Sequence, residues 1–222
     1  MIESQNTINN NKRGLLISFD GIDGCGKTTQ LHRVRDWLDA QGYQVLCTRQ
    51  PGGTTIGQKI RAILLDPAHT HLVAQSELLL YLADRLQHLH EQILPAVRSG
   101  EVVLCDRFHD ATIAYQGYGR QLDLSGIQSI VKEWIAPHFP DFTILLEITP
   151  EMAMHRIQER KQAEGDRLDQ ESLAFFQRVA GGYAALAKEE PKRFIRVDAS
   201  KSIGRVSQAI IAALSKHLDT II

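Results

Sequence analysis

The sequence has few cysteines, no excess of basic residues and no long apolar run, and each shortage excludes a class of protein. Its three cysteines, Cys25, Cys47 and Cys105, form no C-x-x-C pair, which predicts a reduced, cytoplasmic protein rather than a disulfide framework. Lysine and arginine total 25 against 26 acidic residues, so no overall basic field would recruit nucleic acid or an anionic membrane. No apolar run approaches the roughly 20 residues that a membrane helix needs. We therefore expect small-molecule partners, with neither nucleic acid nor a membrane among them.

Two stretches that could suggest targeting or metal binding have plainer explanations. Residues 1–13 are polar and asparagine-rich, without the apolar stretch of a signal peptide, and are expected to form a disordered tail. Histidines are spaced by two at His69/His71 and at His88/His90. On a helix this spacing points the rings apart, so we expect solvated histidines rather than metal ligands. The remaining 14–222 is long enough to bury a substantial core and is predicted to be a single domain.

The stretch Gly21–Thr29 fits the phosphate-binding pattern G-x-x-x-x-G-K-[ST]. Glycines suit this pattern because successive backbone N–H groups must curl around phosphate oxygens. Lys27 would add positive charge at the outer phosphates, and the Thr28 hydroxyl can ligate magnesium. A short apolar strand, Leu15–Phe19, precedes the pattern and a predicted helix, Thr28–Ala40, follows it. This context places a bound anion at the positive end of a helix and predicts nucleoside triphosphate binding.

Short apolar runs alternate with helical patterns along the rest of the chain. The predicted strands are Leu15–Phe19, Tyr43–Thr48, Val102–Cys105, Phe142–Ile148 and Phe194–Asp198. Such alternation predicts an α/β fold in which helices cover both faces of a five-stranded parallel sheet. A long helical pattern runs from Ala74 to Gly100 and is expected to kink at Pro95. The stretches Arg49–Thr54 and Asp106–Gly119 are predicted to be loops at the ligand-binding ends of the strands.

The predicted strand ends also carry an acidic residue and several arginines. Asp106 directly follows an apolar strand, where phosphate-loop proteins place a second magnesium-binding carboxylate, although a helix-capping aspartate is the alternative. The sequence has no Asn-Lys-x-Asp loop of the kind that guanine-specific switch proteins use. Further cations occur at Arg49, Arg107, Arg156, Arg160 and Arg167. Because transfer between two anions needs charge neutralisation and positioning, this set favours a small-molecule phosphotransferase.

Several segments together resemble the successive motifs of the thymidylate kinase family. They are Phe19–Gln30, Arg49–Thr54, Asp106–Phe108, Ala114–Gly117 and Asp166–Asp169, and they occur in the family's order from about Leu15 onward. The resemblance implies a phosphate-loop fold like that of nucleoside monophosphate kinases. It also implies transfer of the γ-phosphoryl group of ATP to dTMP, with Mg²⁺ accompanying ATP, in a homodimer. Since no arginine stands among the variable positions of the phosphate loop, the sequence is similar to the bacterial subgroup, in which a lid supplies that charge.

The resemblance further implies a role for individual residues. ATP would bind along the loop made of Gly21, Ile22, Asp23, Gly24, Cys25, Gly26, Lys27, Thr28 and Thr29, and Mg²⁺ would bind at Thr28 and Asp106. The dTMP site would consist of Arg49, Tyr81, Arg85, Arg107, Thr112, Tyr115 and Gln116. In it, Tyr81 would stack on thymine, Arg85 and Thr112 would contact the base edge, and Tyr115 would pack beside the deoxyribose. The catalytic set would be Lys27, Arg107, Asp23, Arg160 and Arg167, the last two lying on a lid at about 156–169.

The sequence departs from the family pattern at a few of these positions. Gln50 stands where glutamate is common, Ala111 replaces a usual serine, Tyr81 a usual phenylalanine, and Asp169 a frequent glutamate. None of these changes removes a catalytic element. Two alternative functions stay open: another nucleoside monophosphate or deoxynucleoside kinase on the same scaffold, and a nonenzymatic nucleotide-dependent switch.

Cys25 lies within the phosphate loop and has two interpretations. It either replaces a small side chain without further consequence, or it is a reactive thiol. The second follows if the helix N-terminus and the neighbouring Lys27 lower the thiol pKa. Cys47 and Cys105, in predicted apolar strands, are then expected to react more slowly.

Overall fold

The computed structural model describes residues 13–136, 138–160 and 166–221. Of the predicted N-terminal tail, only Arg13 falls within this range, and its guanidinium donates a hydrogen bond to Asp141 at 2.8 Å. The rest of the tail prediction concerns residues outside the described part.

Five strands form one sheet with every neighbouring pair parallel, as predicted. They are β1 Leu15–Asp20, β2 Val45–Arg49, β3 Val102–Asp106, β4 Phe142–Glu147 and β5 Phe194–Asp198, in the spatial order β2-β3-β1-β4-β5. In β1, Ile17 pairs with Leu104 on one side and with Phe142 on the other. β1 is completely buried because it is central in the sheet and covered on both faces, which explains its nearly continuous apolar sequence.

Helices cover both faces of the sheet and complete three layers. They are α1 Lys27–Ala40, α2 Thr55–Leu65, α3 Ala74–His88, α4 Leu94–Arg98, α5 His109–Thr112, α6 Leu124–Trp134, α7 Pro150–Arg160, α8 Leu173–Glu189 and α9 Ile203–Ile221. Alternate residues of β1 belong to different cores: Ile17 packs in a cluster with Val34 of α1 and Ile210 of α9, whereas Leu16 packs in a cluster with Leu82 of α3. No helix in the described part of the chain is long and apolar enough to cross a membrane.

The predicted long helix around Pro95 differs in detail. The segment is helical from Ala74 to Arg98, but a π-helical turn, Leu89–Ile93, separates α3 from α4. Proline lacks an N–H group and its ring crowds the carbonyl of the preceding turn. The wider turn just before Pro95 accommodates both effects, so the irregularity lies one turn earlier than Pro95 itself.

The prediction of a loop over Asp106–Gly119 is wrong for most of that stretch. After β3 the chain forms α5 and then a π-helical turn, Ile113–Gly119. This turn is buried against α8: a Cβ atom at Gly119 would lie 2.8 Å from Phe175, and one at Gly182 would lie 2.8 Å from Tyr118. Close packing through glycines, which the local sequence pattern does not reveal, determines the helical conformation here.

Candidate active site

The phosphate-binding loop lies between the buried end of β1 and the start of α1. Its glycines have positive φ angles, which other residues rarely adopt: 133° at Gly21, 79° at Gly24 and 94° at Gly26. A Cβ atom at Gly21 would lie 2.5 Å from the carbonyl oxygen of Leu146, and one at Gly24 would lie 2.6 Å from that of Ala153. Gly26 gives α1 no side-chain cap, which leaves the first backbone N–H groups of this helix for a ligand. The geometry suits an anion.

Lys27 folds back over this loop. Its Nζ atom lies 3.1 Å from the carbonyl oxygen of Ile22, 3.3 Å from that of Gly21 and 4.0 Å from Oδ1 of Asp23. The side chain is largely buried and lines the cavity described below. A phosphate group is a stronger partner for an ammonium group than a backbone carbonyl is. Lys27 can therefore stabilise the loop as observed and turn to a bound phosphate.

Thr28 and Asp106 meet beside the loop. The hydroxyl group of Thr28 donates a hydrogen bond to Oδ2 of Asp106 at 2.8 Å, which joins the first turn of α1 to the end of β3. Both residues offer the oxygen ligands that Mg²⁺ prefers. The described residues include no group of three or more His, Cys, Asp or Glu side chains that could hold a metal alone. The pair suits Mg²⁺, which usually binds through one or two carboxylates together with substrate phosphates and water.

Arg107 is fixed by contacts from three parts of the chain. It follows β3 with a φ of 70°, an unusual conformation for a residue other than glycine. Its Nη2 atom donates to Oδ1 of Asp23 at 2.5 Å and to the hydroxyl oxygen of Tyr115 at 2.9 Å. Its Nη1 atom donates to the carbonyl oxygen of Gly21 at 3.0 Å and to the hydroxyl oxygen of Tyr183 at 3.2 Å. The guanidinium group is thereby held beside the phosphate-binding loop.

The negative charge of Asp23 is strongly stabilised by the cations of this cluster. Burial by itself would raise the pKa of Asp23, but Arg107 and Lys27 together hold that pKa well below its usual range. The hydroxyl group of Tyr115 also donates to Oδ2 of Asp23 at 2.8 Å, which further favours the carboxylate. Asp23 is therefore ionised at neutral pH, and Arg107 carries its positive charge next to it.

Two further residues complete the cluster and were not predicted as site residues. The hydroxyl group of Tyr183, on α8, donates to Oδ1 of Asp20 at 3.0 Å while accepting from Arg107. Burial, followed by the nearby charge of Asp110, raises the pKa of Asp20 to about 6. The available signal for Asp20 was an acidic residue at the end of a mostly apolar strand. Nothing in the sequence near Tyr183 distinguishes it from an ordinary core residue on a helix.

A second group of side chains lies along α3 and α5. Arg85 donates from Nε to Oε1 of Gln50 at 2.7 Å and from Nη1 to the hydroxyl oxygen of Thr112. Tyr81 lies one turn earlier on α3 and lines the same cavity, as the i, i+4 spacing requires. Arg85 has no carboxylate within salt-bridge distance in the described part of the chain. This buried cation is therefore held by the hydrogen bonds that it donates to neutral acceptors, and its charge is available to a ligand.

Three more arginines surround the cavity. Arg49, at the exposed end of β2, lines it as predicted. Arg61, on α2, also lines it and donates to the carbonyl oxygen of Pro51 at 3.0 Å, although no motif identified this residue. Arg156, on α7, lines the cavity and donates to the carbonyl oxygen of Ala199 at 3.1 Å. The cavity is therefore rich in groups that bind phosphate.

Arg167 is not among the residues that line the cavity. Its Nη2 atom donates to Oε2 of Glu77 at 2.6 Å, and Glu77 also accepts hydrogen bonds from Gln116 and Arg120 at 2.9 to 3.1 Å. Glu77 is buried on α3 and was not predicted as part of the site. The side chain of Arg160 is outside the described residues. That Arg167 closes on ATP stays a prediction, and it requires this arginine to leave Glu77.

The reactive-thiol interpretation of Cys25 is wrong in its physical premise. The side chain is buried beneath the loop, with 3% of its surface exposed. Burial raises the pKa of the Cys25 thiol by more than Lys27 and Arg107 lower it. The interpretation as a small buried side chain fits the structure.

One histidine prediction also needs correction. His69, His71 and His90 are exposed as expected, but His88 is completely buried between β2 and the loop that follows it. The spacing by two correctly places His88 and His90 on different sides of the helical segment. It does not indicate that one of those sides faces the interior.

One cavity of about 800 Å³ connects these groups. Its walls include the phosphate-binding loop, the Thr28–Asp106 pair, Arg107 with Tyr115, and the residues Tyr81, Arg85, Thr112 and Gln116. Among the described residues predicted for the site, Gly21, Ile22, Cys25 and Arg167 are not part of its lining. One cavity therefore combines an anion site at the phosphate-binding loop, Arg107 beside that loop, and the hydrogen-bonding side chains around Arg85.

Comparison with known proteins identifies relatives with the same organisation. The family model described as thymidylate kinase matches residues 19–210. The chain is 44% identical to a thymidylate kinase of Geobacillus sp. over 207 residues, which cover 93% of this chain and 99% of the relative. It is 42% identical to one of Desulfosudis oleivorans, covering 92% of this chain and 98% of the relative. The crystal structure of the thymidylate kinase from Ehrlichia chaffeensis matches with a TM-score of 0.74 and 32% identity, over 91% of this chain and 99% of that one. The chain belongs to the thymidylate kinase family.

Proposed function

We propose that this protein transfers the γ-phosphoryl group of ATP to dTMP and forms dTDP and ADP for dTTP synthesis. The observation that carries the proposal is that one cavity is lined both by the phosphate-binding loop with Arg107 beside it and by the group of side chains around Arg85. A nonenzymatic switch needs only the first of these elements. Two groups of binding residues in one cavity suit a donor nucleotide and an acceptor nucleotide bound face to face.

On the donor side, backbone N–H groups of Gly21–Thr29 bind the phosphates of ATP, and Lys27 neutralises the outer ones. Thr28 and Asp106 hold Mg²⁺, which when bound offsets the negative charge of the phosphate oxygens. Lys27 contributes most to rate if its contact strengthens as charge moves toward the leaving oxygen.

On the acceptor side, Arg107 and Arg49 bind the phosphate of dTMP. Arg107 is already fixed by Asp23, Tyr115 and Tyr183, so it loses little conformational freedom when the acceptor binds. Asp23, adjacent to the guanidinium group, faces the sugar hydroxyl or the acceptor phosphate. Tyr115 packs beside the deoxyribose, where a 2′-hydroxyl group would intrude.

The pyrimidine lies between Tyr81 and the polar edge made by Arg85 and Thr112. Tyr81 stacks on the ring, Gln116 borders the pocket, and the guanidinium group of Arg85 donates to a carbonyl oxygen of thymine. Arginine has only donors, so a base that presents an amino group at this edge leaves both sides unsatisfied.

Other parts of the proposal concern the whole protein. We propose that residues 14–222 act as one kinase domain, with a lid at about 156–169 whose Arg160 and Arg167 reach ATP during the reaction. A homodimer and a cytoplasmic location complete the proposal. The three free cysteines support the latter.

A coupled assay of ADP release with dTMP, dUMP, dCMP, AMP and thymidine as acceptors tests the function. We expect dTMP to give the highest kcat/KM, and Lys27→Ala to lower turnover by orders of magnitude. Lys59→Ala, a matched change at an exposed position on α2, should leave turnover unchanged. Preference for another acceptor would indicate a different nucleotide kinase, and ATP binding without transfer to any acceptor would indicate a switch.

A further inference from the structure

A chain of buried hydrogen bonds leads from the sheet to the base pocket. The Nε2 atom of His88 lies 2.7 Å from the hydroxyl oxygen of Thr48, and its Nδ1 atom lies 3.1 Å from Nε2 of Gln50. Oε1 of Gln50 accepts from Nε of Arg85 at 2.7 Å, and Arg85 donates onward to Thr112. His88, Gln50, Arg85 and Thr112 are each at most 3% exposed. Within this set only Arg85 and Thr112 are proposed to touch the base.

Donor and acceptor chemistry fixes the direction of the bonds that join Arg85, Gln50 and His88. Arg85 can only donate, so the atom of Gln50 that faces it must be the carbonyl oxygen. The amide nitrogen of Gln50 then faces His88 and donates, which means that Nδ1 of His88 carries no proton. The single ring proton of His88 must then be on Nε2, which faces the hydroxyl oxygen of Thr48. The neutral Nε2–H tautomer is therefore the state that fits the contacts of His88 with both Thr48 and Gln50.

The surroundings of His88 favour this neutral state and hold the ring in place. Burial, together with the positive charge of Arg85, lowers the pKa of His88 to about 4, although a hydrogen bond with the Gln92 side chain and the charge of Glu91 act in the opposite direction. A Cβ atom at Gly53 would lie 2.3 Å from Nε2 of His88. The ring thus packs directly against the backbone of the loop that follows β2.

We propose that His88 and Gln50 are paired positioning residues for the pyrimidine pocket. His88, as the Nε2–H tautomer, orients the side-chain amide of Gln50, and the carbonyl oxygen of that amide holds Arg85 for the base. The proposal rests on the function proposed above, because it assigns these residues to the dTMP side of the site. It also gives a role to Gln50 at a position where the family commonly has glutamate.

The amide group of Gln50 donates to an unprotonated Nδ1 of His88, and a carboxylate at position 50 could not make this bond. A glutamate at position 50 has only acceptors, so it would need a proton on Nδ1 of His88. It would also form an ion pair with Arg85 and offset the charge that the base meets. Gln50→Glu is nearly isosteric with the native residue, so it changes hydrogen-bond direction and charge while nearly preserving volume.

Kinetics on the full chain give the first test. His88→Leu should raise KM for dTMP about fivefold to tenfold, the size expected when a buried hydrogen bond is lost, with KM for ATP within twofold. His88→Asn, whose carbonyl oxygen can occupy the place of Nδ1, should recover most of the loss. His90→Leu, the same change at an exposed position two residues later, should have no effect. Equal increases in both KM values, or no recovery in His88→Asn, would overturn the positioning role.

Nuclear magnetic resonance of the ¹⁵N-labelled protein without substrate gives a test independent of activity. Long-range ¹H–¹⁵N spectra distinguish the two histidine tautomers, and His88→Leu assigns the signal. The wild type should show the Nε2–H tautomer, and Gln50→Glu should put a proton on Nδ1. An Nδ1–H tautomer in the wild type, or an unchanged signal in Gln50→Glu, contradicts the proposal even if dTMP is the substrate. Failure of the wild type to phosphorylate dTMP would instead refute the proposed function.

Discussion

Two arginines near β5, three residues apart, allow a matched test of how burial changes the contribution of an ion pair to the free energy of unfolding. Arg193 and Asp110 form two contacts of 2.6 and 2.8 Å, and Asp110 is completely buried. Arg196 pairs with Glu147 at 2.8 Å, but more than half of the Arg196 side chain is exposed. Removing one partner of a buried pair leaves an uncompensated charge and costs about 3–5 kcal/mol, whereas an exposed pair contributes about 0–1 kcal/mol.

We therefore expect Arg193→Leu to lower the free energy of unfolding by about 4 kcal/mol and Arg196→Leu by under about 1 kcal/mol. With an m-value of about 3 kcal/mol/M, the first change moves the urea midpoint down by roughly 1.3 M. Urea unfolding followed by circular dichroism at pH 7 measures both shifts. The double variant Asp110→Asn with Arg193→Leu should recover part of the loss, because it removes the unpaired charge.

The pH dependence gives a second measure of the same pair. Burial would raise the pKa of Asp110, but the neighbouring His109 and Arg193 bring it below its usual value. A carboxyl group with a lowered pKa in the folded state stabilises the fold above its unfolded pKa of about 3.9. That contribution disappears as pH falls through the folded-state pKa. The difference between wild type and Arg193→Leu should thus narrow as the pH falls toward the folded-state pKa of Asp110 in the wild type. Equal midpoint shifts for Arg193→Leu and Arg196→Leu at pH 7 would refute the reasoning.

Further predictions concern the site. Arg107→Ala should reduce kcat/KM by orders of magnitude in steady-state assays, since it removes the cation between the two substrates; near-normal turnover would exclude that role. Arg85→Ala should raise KM for dTMP with little effect on KM for ATP, and an equal ATP defect would place Arg85 outside the acceptor pocket. The preference for dTMP over dUMP should be only tens-fold, because one methyl group provides about 1–3 kcal/mol. Iodoacetamide with mass-spectrometric mapping should label half-buried Cys47 before Cys25, which is buried; faster labelling of Cys25 would contradict the assigned burial.

The fold was largely predictable because strands buried on both faces have nearly continuous apolar sequences. Val102–Cys105 and Phe142–Ile148 differ from the observed strands by one residue at one end. The order of the strands in the sheet could not be predicted from the sequence pattern. Pairing between Ile17 and Phe142 depends on packing of the whole chain, and no local pattern records it.

Residues within motifs were easier to predict than the residues from elsewhere in the chain that contact them. Lys27, Thr28 and Arg107 lie where the motifs place them, since a loop between a strand and a helix has few possible geometries. Tyr183 and Glu77 lie on amphipathic helices, where an inward polar residue resembles any other core position. Their roles depend on which distant residues face them, and that information appears only in three dimensions.

The electrostatic expectations failed where burial was not known. Cys25 lies in a positive field, as the sequence indicates, but the cost of burying a thiolate outweighs that field. His88 was expected to be solvated because helical spacing gives relative directions of side chains and no absolute one. Both errors have the same cause. A sequence pattern shows which residues are close along the chain, whereas the burial and the pKa of a side chain depend on the residues that surround it in space.

The central position of β1 affects how the protein forms during synthesis. The ribosome makes β1 and the phosphate-binding loop before the other four strands, yet one edge of β1 pairs with β4, which ends at Glu147. Until that residue has left the exit tunnel, β1 has an open edge that can pair with other chains or be bound by chaperones. Tyr183, which joins Asp20 to Arg107, emerges later still. The nucleotide site, although its motif is near the start of the chain, is thus completed only when most of the chain has been translated.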